Sequence, residues 1–206
     1  LDKDKAWAQS MMGQWYRDGE HGLKQSYVMA VMLFEKAVAQ GDPAAMYNLA
    51  RLYENGRGVV QSFEKAAEFY AMAVEQGNAG AMYNLGCMYR DGQGVVQSFE
   101  KAAELYTMAA EQGNAKAMSN LGLLYIQGNG VDQSNVLARE WWSKAANEGI
   151  EEAIKNLKML DEMEATKAAA TPTTTTTTTS SRCCAACTTP QTNDHPLNRC
   201  KCHSVH

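Results

Sequence analysis

The stretch GVVQSFEKAAEFYAMAVEQGNAGAMYNLG at residues 58–86 decides the fold, because residues 94–122 repeat it as GVVQSFEKAAELYTMAAEQGNAKAMSNLG. The two copies are identical at 24 of 29 positions and begin 36 residues apart. A fixed period of this length is typical of solenoids, in which neighbouring copies of one short unit pack side by side. The sequence therefore predicts a repeat protein rather than a single globular core.

The same period extends well beyond these two copies. The residues that recur at it are Gly41, Gly77, Gly113 and Gly149; Asn48, Asn84, Asn120 and Asn156; Leu49, Leu85, Leu121 and Leu157; and Tyr53, Tyr89 and Tyr125. The first copy is offset by one residue, because its loop GEHGL at 19–23 is one residue longer than GRGV at 56–59. Four copies and a half-copy thus span residues 6–163.

Each copy carries two apolar patterns with the spacing of an amphipathic helix. In the second copy the first pattern consists of Ala45, Leu49, Leu52 and Tyr53. Ser62 precedes the second pattern as a typical N-cap, and Gly77 stands where a left-handed residue usually ends a helix. Each copy is therefore predicted to be a helical hairpin, which needs neighbouring hairpins to bury its apolar face.

The motif A-x-x-N-L-G-x-x-Y-x-x-G-x-G-V-x-x-S/D-x-x-K-A-A-x-x-Y-x-x-A-x-x-x-G closely resembles the Sel-1-like repeat, a relative of the tetratricopeptide repeat. Ala50, where the family has glycine, and residues 135–137, which replace Phe-Glu-Lys, depart from it without breaking the hairpin. The resemblance implies an all-α, right-handed α-solenoid of about four and a half helix-turn-helix repeats. It also implies a scaffold for protein complexes, and the repeats themselves imply no enzymatic activity.

In a curved stack of hairpins the first helices generally line the concave side, and helical spacing selects the residues that point into the groove. The candidates for contacting a partner are Asn48, Arg51, Asn84, Asp91, Lys116 and Asn120. An amide offers donors and an acceptor, so a ladder of asparagines can pair with the peptide groups of an extended chain. The alternative is that each asparagine bonds the backbone of a neighbouring repeat and holds the stack together.

Tetratricopeptide domains that grip a C-terminal carboxylate use an asparagine five residues before the equivalent tyrosine. The resemblance implies such a contact for Asn48, Asn84 and Asn120. The basic residues that accompany it are represented here only by Arg51 and Lys116.

Other function classes find little support in the array. Residues 1–165 carry 15 Lys and Arg against 22 Asp and Glu, without a basic patch, which argues against nucleic acid as a partner. No apolar run approaches the roughly 18 residues that membrane insertion needs. His21 and Cys87 lie two copies apart, so no pair of base and nucleophile is expected. The array is predicted to be non-catalytic and to bind no cofactor.

The Thr/Cys-rich residues 165–206 differ sharply from the repeat array at 1–164, since residues 166–206 hold 12 of the 13 threonines and no aromatic residue. We expect this tail to be disordered. Zinc binding is the competing hypothesis, with ligands at Cys184, Cys187, His195 and Cys200. It would make the chain a zinc-dependent module, of the ubiquitin-ligase type or regulatory. Disulfides and threonine glycosylation are further alternatives, if the protein is exported.

The principal hypothesis is a scaffold or adaptor that binds a protein or peptide segment in the concave groove. The tail has five cysteines, which leave one unpaired, and the chain has no N-x-S/T sequon; both features favour the cytoplasm. The lumen of the endoplasmic reticulum stays an alternative, because the chain begins with Leu1 and a targeting signal can be missing. No pattern predicts an oligomeric state or names the partner.

Overall fold

The computed structural model describes residues 3–170, and within them the chain forms nine α-helices and no strand. The helices are α1 (Lys3–Asp18), α2 (Tyr27–Val38), α3 (Pro43–Asn55), α4 (Phe63–Glu75), α5 (Ala79–Asp91), α6 (Phe99–Glu111), α7 (Ala115–Gln127), α8 (Asn135–Asn147) and α9 (Glu151–Ala170). Each helix packs mainly against the helices before and after it in the chain. The result is an α-solenoid of four helical hairpins followed by a single helix, which confirms the predicted fold.

Local hydrogen bonds explain where the helices begin and end. Ser62 has an extended backbone and accepts a hydrogen bond from the Lys65 amide, so it caps α4, and serines cap α2, α6 and α8 in the same way. Gly56 adopts the left-handed conformation and ends α3. The predicted serine caps are confirmed. Because these signals act within one hairpin, they repeat as regularly as the sequence does.

An aromatic side chain from each second helix lies against a small residue of the first helix in the same hairpin. The aromatic residues are Phe34, Tyr70, Tyr106 and Trp142, all buried. A Cβ at Gly86 would lie 2.8 Å from the Tyr106 ring, and one at Gly122 would lie 2.6 Å from the Trp142 ring. Ala50 takes this place beside Tyr70 and is fully buried. Small residues therefore let the two helices of a hairpin approach closely.

The second glycine of each G-x-G loop joins neighbouring hairpins. At Gly94, with φ 67°, a Cβ would lie 2.3 Å from the carbonyl carbon of Phe63, at the start of the second helix of the preceding hairpin. Gly58 and Gly130 make the same approach to the preceding hairpin. Gly22, the corresponding residue of the first loop, has nothing within 4 Å of its Cβ position. The G-x-G loops are thus contacts between hairpins as well as turns within them.

Helix α9 occupies the place of a fifth first helix. Ala153 and Leu160 are buried, whereas the acidic residues along the helix are exposed. Arg139 of α8 forms ion pairs with Asp161 and Glu164 and so ties α8 to α9. The helix continues past residue 164, where the sequence placed the end of the array.

Candidate partner-binding face

The first helices α3, α5, α7 and α9 line one side of the array, which we call the first-helix face. It carries two clefts. The α3–α5 cleft, of about 490 Å³, is lined by Tyr47, Arg51, Glu54, Asn55, Gly80, Tyr83, Asn84, Asn114 and Lys116. The α7–α9 cleft, of about 520 Å³, is lined by Tyr83, Lys116, Ser119, Asn120, Leu123, Ile150, Glu152 and Asn156. Tyr83 and Lys116 line both clefts, so the two form a continuous depression.

The structure brings together four of the six residues selected from the sequence. Arg51, Asn84 and Lys116 line the α3–α5 cleft, and Asn120 joins Lys116 in the α7–α9 cleft. The other two candidates, described next, line neither cleft.

Asn48 is buried, with only 6% of its surface exposed. Its amide nitrogen donates to the Ala44 carbonyl of its own helix at 2.9 Å, and its amide oxygen accepts a hydrogen bond from the Arg17 guanidinium of α1. Both ends of the side chain are therefore engaged inside the array, where they connect the first and second hairpins.

Asp91 is exposed but paired with its neighbour Arg90, whose Nε lies 2.7 Å from the carboxylate. This hydrogen bond holds the pKa of Asp91 below its usual range. Adjacent helical residues do not normally face each other, but the long arginine side chain folds back along the helix. The charge of Asp91 is thus largely neutralised within the chain.

Asn84 belongs to a hydrogen-bond chain that crosses three helices. Its amide nitrogen donates to the Tyr70 hydroxyl of α4 at 2.9 Å, and that hydroxyl donates to Oε2 of Glu54 on α3 at 2.6 Å. Burial, reinforced by the Glu54 carboxylate, raises the pKa of Tyr70, so the hydroxyl stays protonated and remains a donor. The amide oxygen of Asn84 accepts no hydrogen bond from any residue in 3–170 and is available on the face.

Asn120 makes a weaker version of the same contact. Its amide nitrogen lies 3.9 Å from the Cys87 sulfur, to which the Tyr106 hydroxyl donates at 3.3 Å. Tyr83 also lies beside Cys87. Its burial, and to a smaller extent the neighbouring Cys87, raise the pKa of Tyr83 to about 12. The oxygen of Asn120 likewise has no donor in the described part of the chain.

All three asparagines therefore contact the preceding hairpin, but through its side chains. The expected alternative, a bond to the neighbouring repeat's backbone, is not the geometry found for Asn84 or Asn120. Asn84 and Asn120 reach the preceding hairpin through their amide nitrogens, whereas Asn48 reaches it through its amide oxygen. The oxygens of Asn84 and Asn120 accept no hydrogen bond from the described residues.

Arg51 and Lys116 are the exposed cations of the two clefts. Neither has a carboxylate within 4 Å among the described residues, in contrast to Arg17 and Arg90, which pair with aspartates. The Arg51 guanidinium lies 5.9 Å from the Tyr47 ring centre. The cationic character of the α3–α5 cleft thus comes from these two side chains.

Sequence reasoning missed part of the lining. Tyr47 and Tyr83 share a repeat position that Ser119 takes in the next copy, and such a variable position favours packing residues over binding residues. Each does pack, with ring centres 5.9 Å from Tyr70 and 6.0 Å from Tyr106 respectively, but both also line the clefts. Glu54 is not among the candidates selected from the sequence. Arginine and then isoleucine replace it in the next two copies, so the fold does not require glutamate at this position.

The residues considered for other chemistry lie apart or outside the described range. The ring centre of His21 is 4.3 Å from that of Trp15 in the first hairpin, whereas Cys87 contacts Tyr106 and Asn120. Between residues 3 and 170 no group of three or more His, Cys, Asp or Glu side chains could hold a metal ion, and no helix is long and apolar enough to cross a membrane. The zinc-ligand candidates of the tail, Cys184, Cys187, His195 and Cys200, lie outside the described residues, and that site stays a prediction.

Comparisons with known proteins match this architecture. The Sel1 repeat model matches residues 8–42, 43–78, 79–114 and 115–150, which correspond to the four hairpins. A protective antigen of uropathogenic Escherichia coli strains, with an SLR fold, is 32% identical at a TM-score of 0.75 over 77% of this chain and 34% of that one. A Sel1 repeat protein from Oxalobacter formigenes is 32% identical at 0.70 over 74% of this chain and 62% of that one.

An immunity protein from Pseudomonas aeruginosa is 27% identical at a TM-score of 0.51, over 72% of this chain and 55% of that one. The chain thus spans between 34% and 62% of the length of these three solved structures. No curated protein matches it.

Proposed function

Because the chain belongs to the Sel1 repeat family, whose repeats generally serve as scaffolds for protein interactions, we propose that it is a non-catalytic adaptor. Its first-helix face binds an extended segment of another protein across the two clefts. The fold supplies the rigidity that this role needs, since α3, α5 and α7 are each held by the helices on both sides in the chain and α9 is held by α8.

The observation that carries the proposal is the pair of available amide oxygens at Asn84 and Asn120. They occupy the same repeat position on neighbouring first helices, and each lines one cleft. The Asn120 side chain of α7 reaches Cys87 of α5, so the two first helices are close enough for one extended segment to cross both. Such a segment can donate a backbone N–H to each oxygen.

Two further contacts support a non-catalytic role. The Cys87 thiol is surrounded by hydrogen-bond donors that belong to the stack rather than by a general base. The G-x-G loops resemble a phosphate-binding loop in their glycines only. Gly94 and its equivalents lie instead against the backbone of the preceding hairpin, which leaves no space for a phosphate there.

Site-specific photo-crosslinking in the source cells tests the proposal. A benzophenone amino acid is placed in the full chain either at Asn55, exposed at the rim of the α3–α5 cleft, or at Glu68, exposed on the outer side of α4. We expect a discrete adduct with another protein from position 55 only. The adduct should weaken in the Asn84→Ala/Asn120→Ala chain, with the thermal midpoint measured as a control for folding. Adducts from position 68 alone, or from neither position, would contradict the proposal.

A further inference from the structure

We propose that the first-helix face binds its segment in one direction, with acidic side chains at the α3–α5 cleft and large aliphatic side chains at the α7–α9 end. This inference rests on the proposed function and adds the chemistry and polarity of the partner. It follows from how the exposed side chains change from one first helix to the next.

The exposed repeat positions of the face turn from polar to apolar along the array. The position of Arg51 in α3 is taken by Leu123 in α7 and by Met159 in α9. The position of Asn55 stays polar in α5 and α7, with Asp91 and Gln127, and becomes apolar only in α9, with Met163. Met159 and Met163 are 54% and 60% exposed, and helical spacing puts them on the same side of α9 as Asn156, which lines the α7–α9 cleft. Unbranched methionines are well suited to accept varied aliphatic side chains.

The charges of the lining residues differ between the two clefts. Arg51 and Lys116 line the α3–α5 cleft with one carboxylate, Glu54, so cations outnumber carboxylates there and the cleft favours an acidic side chain. Lys116 also lines the α7–α9 cleft, but Glu152 balances its charge there, and Leu123 and Ile150 supply apolar surface.

The segment has to cross three steps between first helices, from α3 to α9. The fitting partner is a linear extended segment, acidic at one end and aliphatic at the other, with backbone N–H groups between them for Asn84 and Asn120.

Selection from a library of random 12-residue peptides displayed on phage tests this polarity. The full chain is the bait, in parallel with Arg51→Ala/Lys116→Ala and Met159→Ser/Met163→Ser. All four substituted side chains are exposed, so folding should survive. We expect peptides selected by the wild-type chain to carry Asp or Glu toward one end and Leu, Ile, Met or Phe toward the other. The arginine–lysine variant should lose only the acidic preference, and the methionine variant only the aliphatic one.

Matched controls come from exposed residues elsewhere on the array. For a selected synthetic peptide, we expect at least a tenfold loss of affinity with Arg51→Ala/Lys116→Ala and less than a twofold change with Lys65→Ala/Lys101→Ala on the second helices. Val60→Ser/Val96→Ser, both 88% exposed in the native chain, is the apolar control for the methionine pair. A photoreactive group at the acidic end of the peptide should label α3 or α5, and one at the aliphatic end α7 or α9.

The failures of the two proposals are distinguishable. Peptides that bind the first-helix face without end-to-end polarity, or label it in the opposite direction, would overturn this inference and leave the proposed function standing. Selected peptides whose affinity neither cleft variant changes, or no selected peptides at all, would count against both.

Discussion

Replacing Gly94 with alanine should destabilise the array much more than the same change at Gly22. Both glycines are the second of their loop and have positive φ, 67° and 77°, so both variants bear a left-handed alanine that costs about 1–2 kcal/mol. At Gly94 the new Cβ would also lie 2.3 Å from the Phe63 carbonyl carbon, where ordinary contact begins at 3.4 Å. The loop must therefore move by about 1 Å away from the preceding hairpin.

The obstacle is backbone, which cannot rotate aside, so the overpacking cost should reach the upper end of its usual range, about 3 kcal/mol. The reduction of unfolded-chain entropy by Gly→Ala is common to both variants and cancels in the comparison. We therefore expect Gly94→Ala to lose about 3 kcal/mol more unfolding free energy than Gly22→Ala.

Urea unfolding followed by far-ultraviolet circular dichroism measures the difference. The slope of each curve should be compared as well, because a weakened junction can let a repeat array unfold in parts. Gly113→Ala, with φ 84° and nothing within 4 Å of its Cβ position, serves as a second strain-only control. Equal losses for Gly94→Ala and Gly22→Ala, within about 0.5 kcal/mol, would refute the inter-hairpin role of the loop.

Three further outcomes are expected. Asn84→Ala removes one hydrogen bond to Tyr70 and should lower the free energy of unfolding by about 1 kcal/mol. The same change should clearly weaken partner binding. A large drop in the thermal midpoint with binding intact would make the role of Asn84 purely structural. Folding raises the pKa values of Tyr70 and Tyr83, so the folded state is favoured fully below about pH 10, the pKa of an unfolded tyrosine. That contribution to stability is lost as the pH rises through about 12, the folded pKa of Tyr83. Tyrosinate absorbance and circular dichroism recorded together should show both changes. Deleting residues 171–206 should leave the helical content unchanged. Deleting residues 151–206 should expose the apolar side of α8 and cause aggregation, which light scattering measures. The reverse pattern would place the end of the array elsewhere.

Much of the candidate face was predictable because helical spacing and the repeat period together select which residues share a side. Arg51, Asn84, Lys116 and Asn120 were found in this way. Asn48 fits the same pattern, but Arg17, which lies 31 residues earlier, reaches its amide oxygen, and no local pattern reports a contact at that distance.

The hydrogen-bond chain from Asn84 through Tyr70 to Glu54 shows more clearly what the sequence could not predict. Each of the three residues has an ordinary place in its own helix, and their connection exists only because three helices converge. Glu54 in particular sits at a position that varies between copies, so the repeat pattern gives it no assigned role.

By itself, the sequence determined the repeat, the hairpins and their caps, because these depend on interactions within one unit that recur in every copy. The tertiary structure alone decided which polar atoms on the first-helix face are already bonded and which are available. That outcome depends on side chains from the preceding unit, whose identity differs from copy to copy. It also decided that Gly94 and its equivalents are junctions between hairpins, since a glycine required by a turn and one required by a neighbouring backbone look the same in the sequence.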